Sequence, residues 1–126
     1  MNIKKVSEKT GISADTIRYY ERIGLMPAVT RNKAGVRDFT ELDIQLLEFV
    51  RCYRSAGIGV EPLIEYIQLL GQGDQTVPAR IELLSEQLEA LDNRINELTQ
   101  ARDRLKYKIE NYKQAILPVE RSLFDE

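Results

Sequence analysis

Histidine is absent from this 126-residue chain and cysteine occurs once, at Cys52. Those two shortages close most routes to site chemistry. Zinc fingers, Cys/His metal clusters, iron–sulfur centres and disulfide scaffolds all lack ligands, so neither a metal nor a cofactor is expected. Ser-His-Asp and Cys-His catalysis are closed too, no acid, base and nucleophile set is visible, and the chain is not expected to be an enzyme. Four prolines and seven glycines are too few for a disordered or fibrous chain. No apolar run approaches the roughly 20 residues that cross a bilayer. Met1-Asn2-Ile3-Lys4-Lys5 leads into mixed polar sequence where a signal peptide would turn apolar. The expectation is a soluble, cytoplasmic protein with no membrane partner.

With 43% apolar and 30% charged residues, the chain can build a small core: one domain, or a small domain with an appendage. Its net charge of −2 conceals an asymmetry. Residues 1–37 hold eight basic side chains against three acidic ones, a net of +5, whereas residues 61–126 hold eight against thirteen, a net of −5. A basic head on an acidic body suits a head that meets a polyanion. Charge alone leaves the alternative of a chance imbalance on a solvated face.

Local signals divide the head into helices. Asn2 can cap a short helix carrying Ile3 and Val6, which ends at Thr10-Gly11. Ser13 caps a second helix, with Asp15 in its first turn and Ile17, Tyr20 and Ile23 at helical spacing before Gly24. Two short helices joined by a tight Gly-containing turn make a helix-turn-helix, and the second is of a size to enter a major groove. From Leu25 to Phe39 turn-formers lie between short extended segments, the pattern of a small hairpin, or wing, with Arg31, Lys33 and Arg37 on or beside its tip. Those three positions suit phosphate contact better than packing. Thr40 with Asp43 forms a capping-box pattern that opens a third helix ending at Gly57, and a fourth runs from about Gly59 towards Gly71-Gln72-Gly73-Asp74.

From Val77 the apolar residues follow a 4,3 alternation, which is a heptad seam. Its a positions are Ile81, Leu88, Ile95, Arg102, Ile109 and Ile116, and its d positions are Val77, Leu84, Leu91, Leu98, Leu105 and Tyr112. Residues 77–116 predict a rod of roughly 60 Å, and nothing else in the chain is large enough to cover its stripe. A second copy is therefore expected to cover it, making a homodimer. In a parallel pair Arg102 would face its own copy and Lys108 would approach Lys113, while antiparallel pairing removes both conflicts and lets Arg102 snorkel. The expected architecture is all-α with a small β-hairpin wing: a winged helix-turn-helix DNA-binding domain over residues 1–71, a linker over 72–76, an antiparallel dimerisation coiled-coil helix over 77–116 and a C-terminal tail over 117–126.

The stretch Gly11-Ile12-Ser13-Ala14-Asp15-Thr16-Ile17-Arg18-Tyr19-Tyr20-Glu21-Arg22-Ile23-Gly24-Leu25, with Pro27 beyond it, resembles the DNA-reading signature of the MerR family of bacterial transcription regulators. Wing, Thr40 cap, Gly57 turn and terminal coil follow in the family's order, so the resemblance covers residues 1–116. The family's common Gly-Tyr-Arg in the wing stands here as Gly35-Val36-Arg37, which keeps the arginine and loses the tyrosine. The resemblance implies a homodimer that binds a promoter with an overlong spacer between its two RNA polymerase elements, and that distorts the DNA to repress or activate. It implies phosphate clamping by Arg18 and Tyr19, approach to bases and backbone by Ser13, Ala14 and Thr16, and a wing contact by Arg37. Tyr20 is expected to pack beneath. Taken as residues alone, Tyr19 and Tyr20 also read as core aromatics.

Metal-sensing relatives carry several cysteines and drug-sensing ones append a pocket domain. With Cys52 alone, and only Leu117 to Glu126 after the coil, the chain resembles the aldehyde- and thiol-responsive subgroup, which implies Cys52 as the sensor thiol. Its helical neighbours Glu48, Phe49, Ser55 and Ala56 supply no activating charge. The residues by themselves leave Cys52 open between a sensor and a small buried hydrophobe, the second giving the same DNA-binding regulator with a non-covalent or unknown signal. A coiled-coil adaptor whose head binds protein is the rival outside nucleic-acid recognition, with the acidic rod as its one positive sign.

Overall fold

The structure, a computed structural model, describes residues 1–125. Among the described residues the chain is mostly helical, with α1 (Ile3–Thr10), α2 (Ala14–Ile23), α3 (Glu41–Ser55), α4 (Val60–Gln72), α5 (Val77–Glu110) and α6 (Leu117–Ser122). None of these helices is long and apolar enough to cross a membrane. The chain divides into two compact units, Met1–Gln87 and the residues from Leu88 onward. Glu126, the last residue of the expected tail, lies outside the described residues.

Helix starts and stops follow the local signals. The Asn2 side chain accepts the Lys5 N–H at 2.9 Å, and the Ser13 hydroxyl accepts the Thr16 N–H at 3.2 Å. Thr40 and Asp43 form a reciprocal capping box at the start of α3. Gly11 (φ 75°) and Gly24 (φ 87°) close α1 and α2 in the left-handed region, where a Cβ is disfavoured.

The core of the first unit joins Val6, Ile12, Ile17, Ile44 and Leu47 from the helical head with Met26, Val29 and Phe39 from the irregular segment between α2 and α3, and Ile3 and Tyr20 pack against it. Each of the fully buried apolar side chains contributes about 1.5–3 kcal/mol on leaving water. The segment expected to be all wing is thus half core. Its outer part, Asn32–Val36, is a tight turn. Asn32 N–H donates to Val36 C=O at 2.8 Å, Gly35 N–H returns to Asn32 C=O at 2.9 Å, and the Asn32 side chain accepts the amides of Ala34 and Val36. Antiparallel pairing among the described residues is confined to one bridge, Arg31 with Arg37.

Two differences from expectation concern the second half. The 72–76 segment, expected as a linker, is folded: α4 runs to Gln72, Asp74–Thr76 form a 3-10 turn, and buried Thr76 donates to Leu69 C=O at 2.7 Å. Arg80 secures the same turn by donating to Gly73 C=O and to the Thr76 hydroxyl. The single helix expected over 77–116 instead stops at Glu110, and Tyr112–Ile116 form a π-helical turn ahead of α6. Asn111 leaves helical geometry (φ −113°, ψ 20°), and its side-chain amide donates to Tyr107 C=O. Lys108 Nζ lies 2.8 Å from Glu120 Oε2. Twelve residues of straight helix would separate them by about 18 Å, so the chain bends back between them.

Candidate nucleic-acid interface

The expected DNA-contacting residues all lie in the first unit. Ser13, Ala14 and Thr16 lie at the start of α2, with Ser13 exposed and the other two half-buried. The Ser13 hydroxyl is committed locally, because it caps the helix and donates to the Thr16 hydroxyl at 2.8 Å. Arg18 and Tyr19 follow on the outer face of α2. Tyr19 is 44% exposed with the Arg22 guanidinium 5.3 Å from its ring centre, so it is no core aromatic. Tyr20 faces the core, as expected.

Arg31, Lys33 and Arg37 come from the turn beyond α2, where Arg31 and Lys33 are exposed and Arg37 is half-buried. The fold gathers Arg18, Arg31 and Arg37 on one concave surface that also takes in Asn2, Lys4 and Val36. The same three arginines line an adjoining hollow with Glu21, Arg22, Ala28 and Val29. Lys33 lines neither hollow and stays at the tip. Lys4 and Arg22 thus belong to the basic surface although neither was assigned a role: Arg22 lies within the quoted signature, and the one signal for Lys4 was the positive balance of the head.

Each arginine of the group is held by a neighbour. Arg18 donates to Asp15 at 2.9 Å, a solvent-exposed pair of little energetic weight. Arg31 donates to Gly35 C=O at 2.8 Å across the turn. Arg37 donates through Nε to Glu21 Oε1 at 2.7 Å, with only 24% and 15% of the two side chains exposed. The other carboxylate oxygen of Glu21 accepts the Val29 N–H at 2.7 Å. Burial pushes the Glu21 carboxyl up, but those two donors and the charges of Arg37 and Arg31 outweigh it and hold the group below the ordinary carboxylate range.

Cys52 lies late in α3 as a free thiol, exposed in the single chain. Arg51 beside it reaches the helix-turn-helix: a Cβ on Gly11 would lie 3.4 Å from its guanidinium. Phe49 stacks on Tyr66 at 5.2 Å and contacts Tyr53 at 4.5 Å, joining α3 to α4 through aromatic rings. Among the described residues no group of three or more Cys, Asp or Glu could hold a metal ion.

On the α5 seam, Ile81, Leu88, Ile95, Leu98, Leu105 and Ile109 are 58–75% exposed, Leu84 is also exposed and Leu91 is half-buried, and Tyr112, in the π-helical turn beyond α5, is exposed too. Leu83, which was not assigned to the seam, is buried within the first unit. It continues a second stripe through Thr76 and Arg80, so the first turns of α5 carry one face for their own unit and leave the other bare.

The MerR HTH family regulatory protein family matches residues 1–70, and a second family, MerR, DNA binding, matches residues 44–107. The chain is similar to the HTH-type transcriptional regulator AdhR of Bacillus subtilis, at 47% identity over 91 residues, 72% of this chain and 65% of AdhR. The chain thus spans just under two thirds of that relative's length. An uncharacterized HTH-type transcriptional regulator of Haemophilus influenzae is 35% identical, over 88% of this chain and 82% of that protein. Among solved structures, a MerR family transcriptional regulator from Listeria monocytogenes superposes with a TM-score of 0.88 at 49% identity, covering 98% of this chain and 93% of that one. HiNmlR, a MerR family regulator lacking the sensor domain and solved bound to promoter DNA, gives 0.79 at 34% identity, covering 90% of each chain.

Proposed function

The chain belongs to the MerR family of helix-turn-helix DNA-binding transcriptional regulators, and on that ground we propose that it binds a promoter spacer as a homodimer, represses or activates by distorting the duplex, and takes its signal through Cys52. The observation that carries the DNA contact is the convergence of Arg18, Arg31 and Arg37, from α2 and the turn beyond it, on one concave surface. Guanidinium groups are planar, permanently charged donors matched to phosphate oxygens. In this reading α2 enters the major groove, with Ser13, Ala14 and Thr16 near bases and backbone and Tyr19 beside a phosphate. The Asn32–Val36 turn acts as the wing, with Lys33 at its tip. Contacts made only to a bent and untwisted duplex offset the cost of deforming it, which brings the promoter elements into phase for RNA polymerase.

Residues 1–71 act in this reading as the DNA-binding domain and 72–76 as its junction. The seam within 77–116 is covered antiparallel by a second copy, and the tail follows. The occupant of the seam is argued from its chemistry: a bare stripe of Ile and Leu on a helix of 34 residues is costly in water unless an equally long apolar stripe meets it. Separated heads then reach two half-sites on one face of the DNA. The expected location is the cytoplasm, where promoter and polymerase are.

The subgroup reading for Cys52 is supported by the similarity to AdhR over 72% of the chain and by the exposure of the thiol. With an aldehyde, the sulfur adds to the carbonyl carbon, a C–S bond forms, and the thiol proton ends on the former carbonyl oxygen as a hydroxyl; no oxidant is required. The test is transcription in vitro from the promoter of the protein's own operon, with wild type and Cys52→Ser, with and without formaldehyde or methylglyoxal, recording intact mass on the same samples. Wild type switches on with a matching adduct, while Cys52→Ser binds the promoter and stays silent. An equal response from the mutant would assign the signal to another part of the molecule and leave the DNA-binding reading intact.

A further inference from the structure

Glu21 is the acid in the middle of the basic surface. It lies on α2 three residues after Arg18 and one before Arg22, and it lines the hollow that Arg18, Arg31 and Arg37 share. A carboxylate there repels a phosphate backbone, so its presence needs a reason. The geometry supplies one. The two oxygens have two different partners, the Val29 N–H on the strand-like run leading into the turn and the Arg37 Nε on the limb leaving it, each at 2.7 Å. One half-buried side chain therefore ties α2 to both limbs of the turn.

Val29 and Phe39 share the core with Ile17 of α2, and among the described residues the hydrogen bonds from α2 to the two limbs run through Glu21. The limbs pair through a single bridge, Arg31 with Arg37, which sets two like charges directly opposite each other. The Glu21 carboxylate lies where it offsets that repulsion, and Arg31 as well as Arg37 contributes to holding it ionised. Arg37 donates to Glu21 through Nε alone, and its terminal nitrogens make no other hydrogen bond among the described residues. The guanidinium is thus anchored at one edge with the other edge open to a ligand.

We propose that Glu21 is a positioning residue for DNA binding, which orders the turn in advance and presents the open edge of Arg37 to a phosphate. This rests on the nucleic-acid reading given above. Ordering the limb before the encounter removes part of the entropy cost of binding. Glutamine has about the same shape but a single oxygen acceptor, so Glu21→Gln can answer Val29 or Arg37 and must turn an NH2 donor toward the other.

Two roles for Glu21 predict opposite signs. If the carboxylate only repels DNA, removing its charge tightens binding; if it positions Arg37, removing it weakens binding. The experiment measures the affinity of the full-length protein for its promoter duplex across a potassium chloride series, for wild type, Glu21→Gln, Arg37→Ala and the double variant, with circular dichroism on each. The expected result for Glu21→Gln is about a tenfold loss and a salt slope shallower by about one unit, the signature of one lost phosphate contact. In the double variant the loss equals that of Arg37→Ala alone, because the carboxylate acts through the arginine. Unchanged or tighter binding by Glu21→Gln, or additive losses, overturns the inference and leaves the nucleic-acid reading standing. Failure of wild type to bind the duplex in a salt-sensitive way overturns both. Should Glu21→Gln not fold, Arg37→Gln keeps the Val29 hydrogen bond and answers by amide exchange: faster exchange at Asn32 and Asp38 supports the tie, and unchanged exchange overturns it.

Discussion

Folding leaves the Glu21 carboxyl easier to ionise than a free glutamate, and that direction sets the sign of its pH dependence. A group whose pKa is lowered by folding contributes stability above its unfolded pKa and loses it as pH falls through the folded value. Wild type is therefore expected to lose thermal stability as pH drops from the ordinary carboxylate range downward, with a flatter curve for Glu21→Gln. Calorimetry at a series of pH values checks this, and parallel curves for the two proteins would remove the effect. Few single-residue roles of this kind were legible. Ser13 and Thr40 could be assigned as caps because a cap acts on an amide three residues away. The Glu21 to Arg37 contact spans sixteen residues, and in sequence Glu21 is one more acid beside Arg22. Local spacing left Cys52 open between two readings, and its exposure was not legible there.

Elements were legible where they are punctuated locally. Gly24 marks the end of α2 in sequence, and its φ of 87° is the reason. A Cβ there would meet nothing closer than Ile64 Cγ2 at 3.8 Å, so Gly24→Ala costs about 1–2 kcal/mol through backbone strain without a steric clash. Urea unfolding should report that loss with an unchanged m-value. The break in the long helix was not legible, because Ile109, Tyr112 and Ile116 keep the heptad in step straight through Asn111. What marks the break is a contact from beyond it, Glu120, which accepts from the Tyr112 hydroxyl at 2.6 Å and pairs with Lys108. Lys108 and Tyr112 are held protonated above their ordinary range, first of all by hydrogen bonding to Glu120, and Glu120 is lowered first by its hydrogen bond to Lys108. The cluster is solvent-exposed, so salt screens it. Glu120→Gln is expected to speed amide exchange in Leu117–Ser122 while leaving α1 to α3 unchanged, and equal protection in the two proteins would show that the bend is held by other contacts.

For the whole molecule the consequential feature is the bare seam of α5. If a second copy covers it, Leu98→Asp buries an unpaired carboxylate in the interface and drives the protein towards a single chain of 14.5 kDa in light scattering, with a matching loss of promoter affinity. A mass unchanged from wild type would require a different occupant for the seam. The basic head carries the corresponding prediction at the DNA: Lys33→Ala, at the tip of the turn and outside both hollows, costs less affinity than Arg37→Ala, because an exposed flexible lysine has no anchor. Binding assays at one salt concentration rank the two.

From the sequence alone came the ends of α1 and α2 and the start of α3, the helix-turn-helix, the charge asymmetry, the heptad stripe and the family. Each of these is written in residue types at short spacing: a cap and its amide, a glycine past a helix, apolar residues three and four apart. Tertiary structure alone decided that Met26, Val29 and Phe39 are core, that Arg18, Arg31 and Arg37 converge, that Glu21 holds Arg37, that Cys52 is exposed and that the chain bends at Asn111. Those facts depend on which segments meet after the chain has packed. Burial and pairing across sixteen residues are properties of that packing, and no local spacing encodes them.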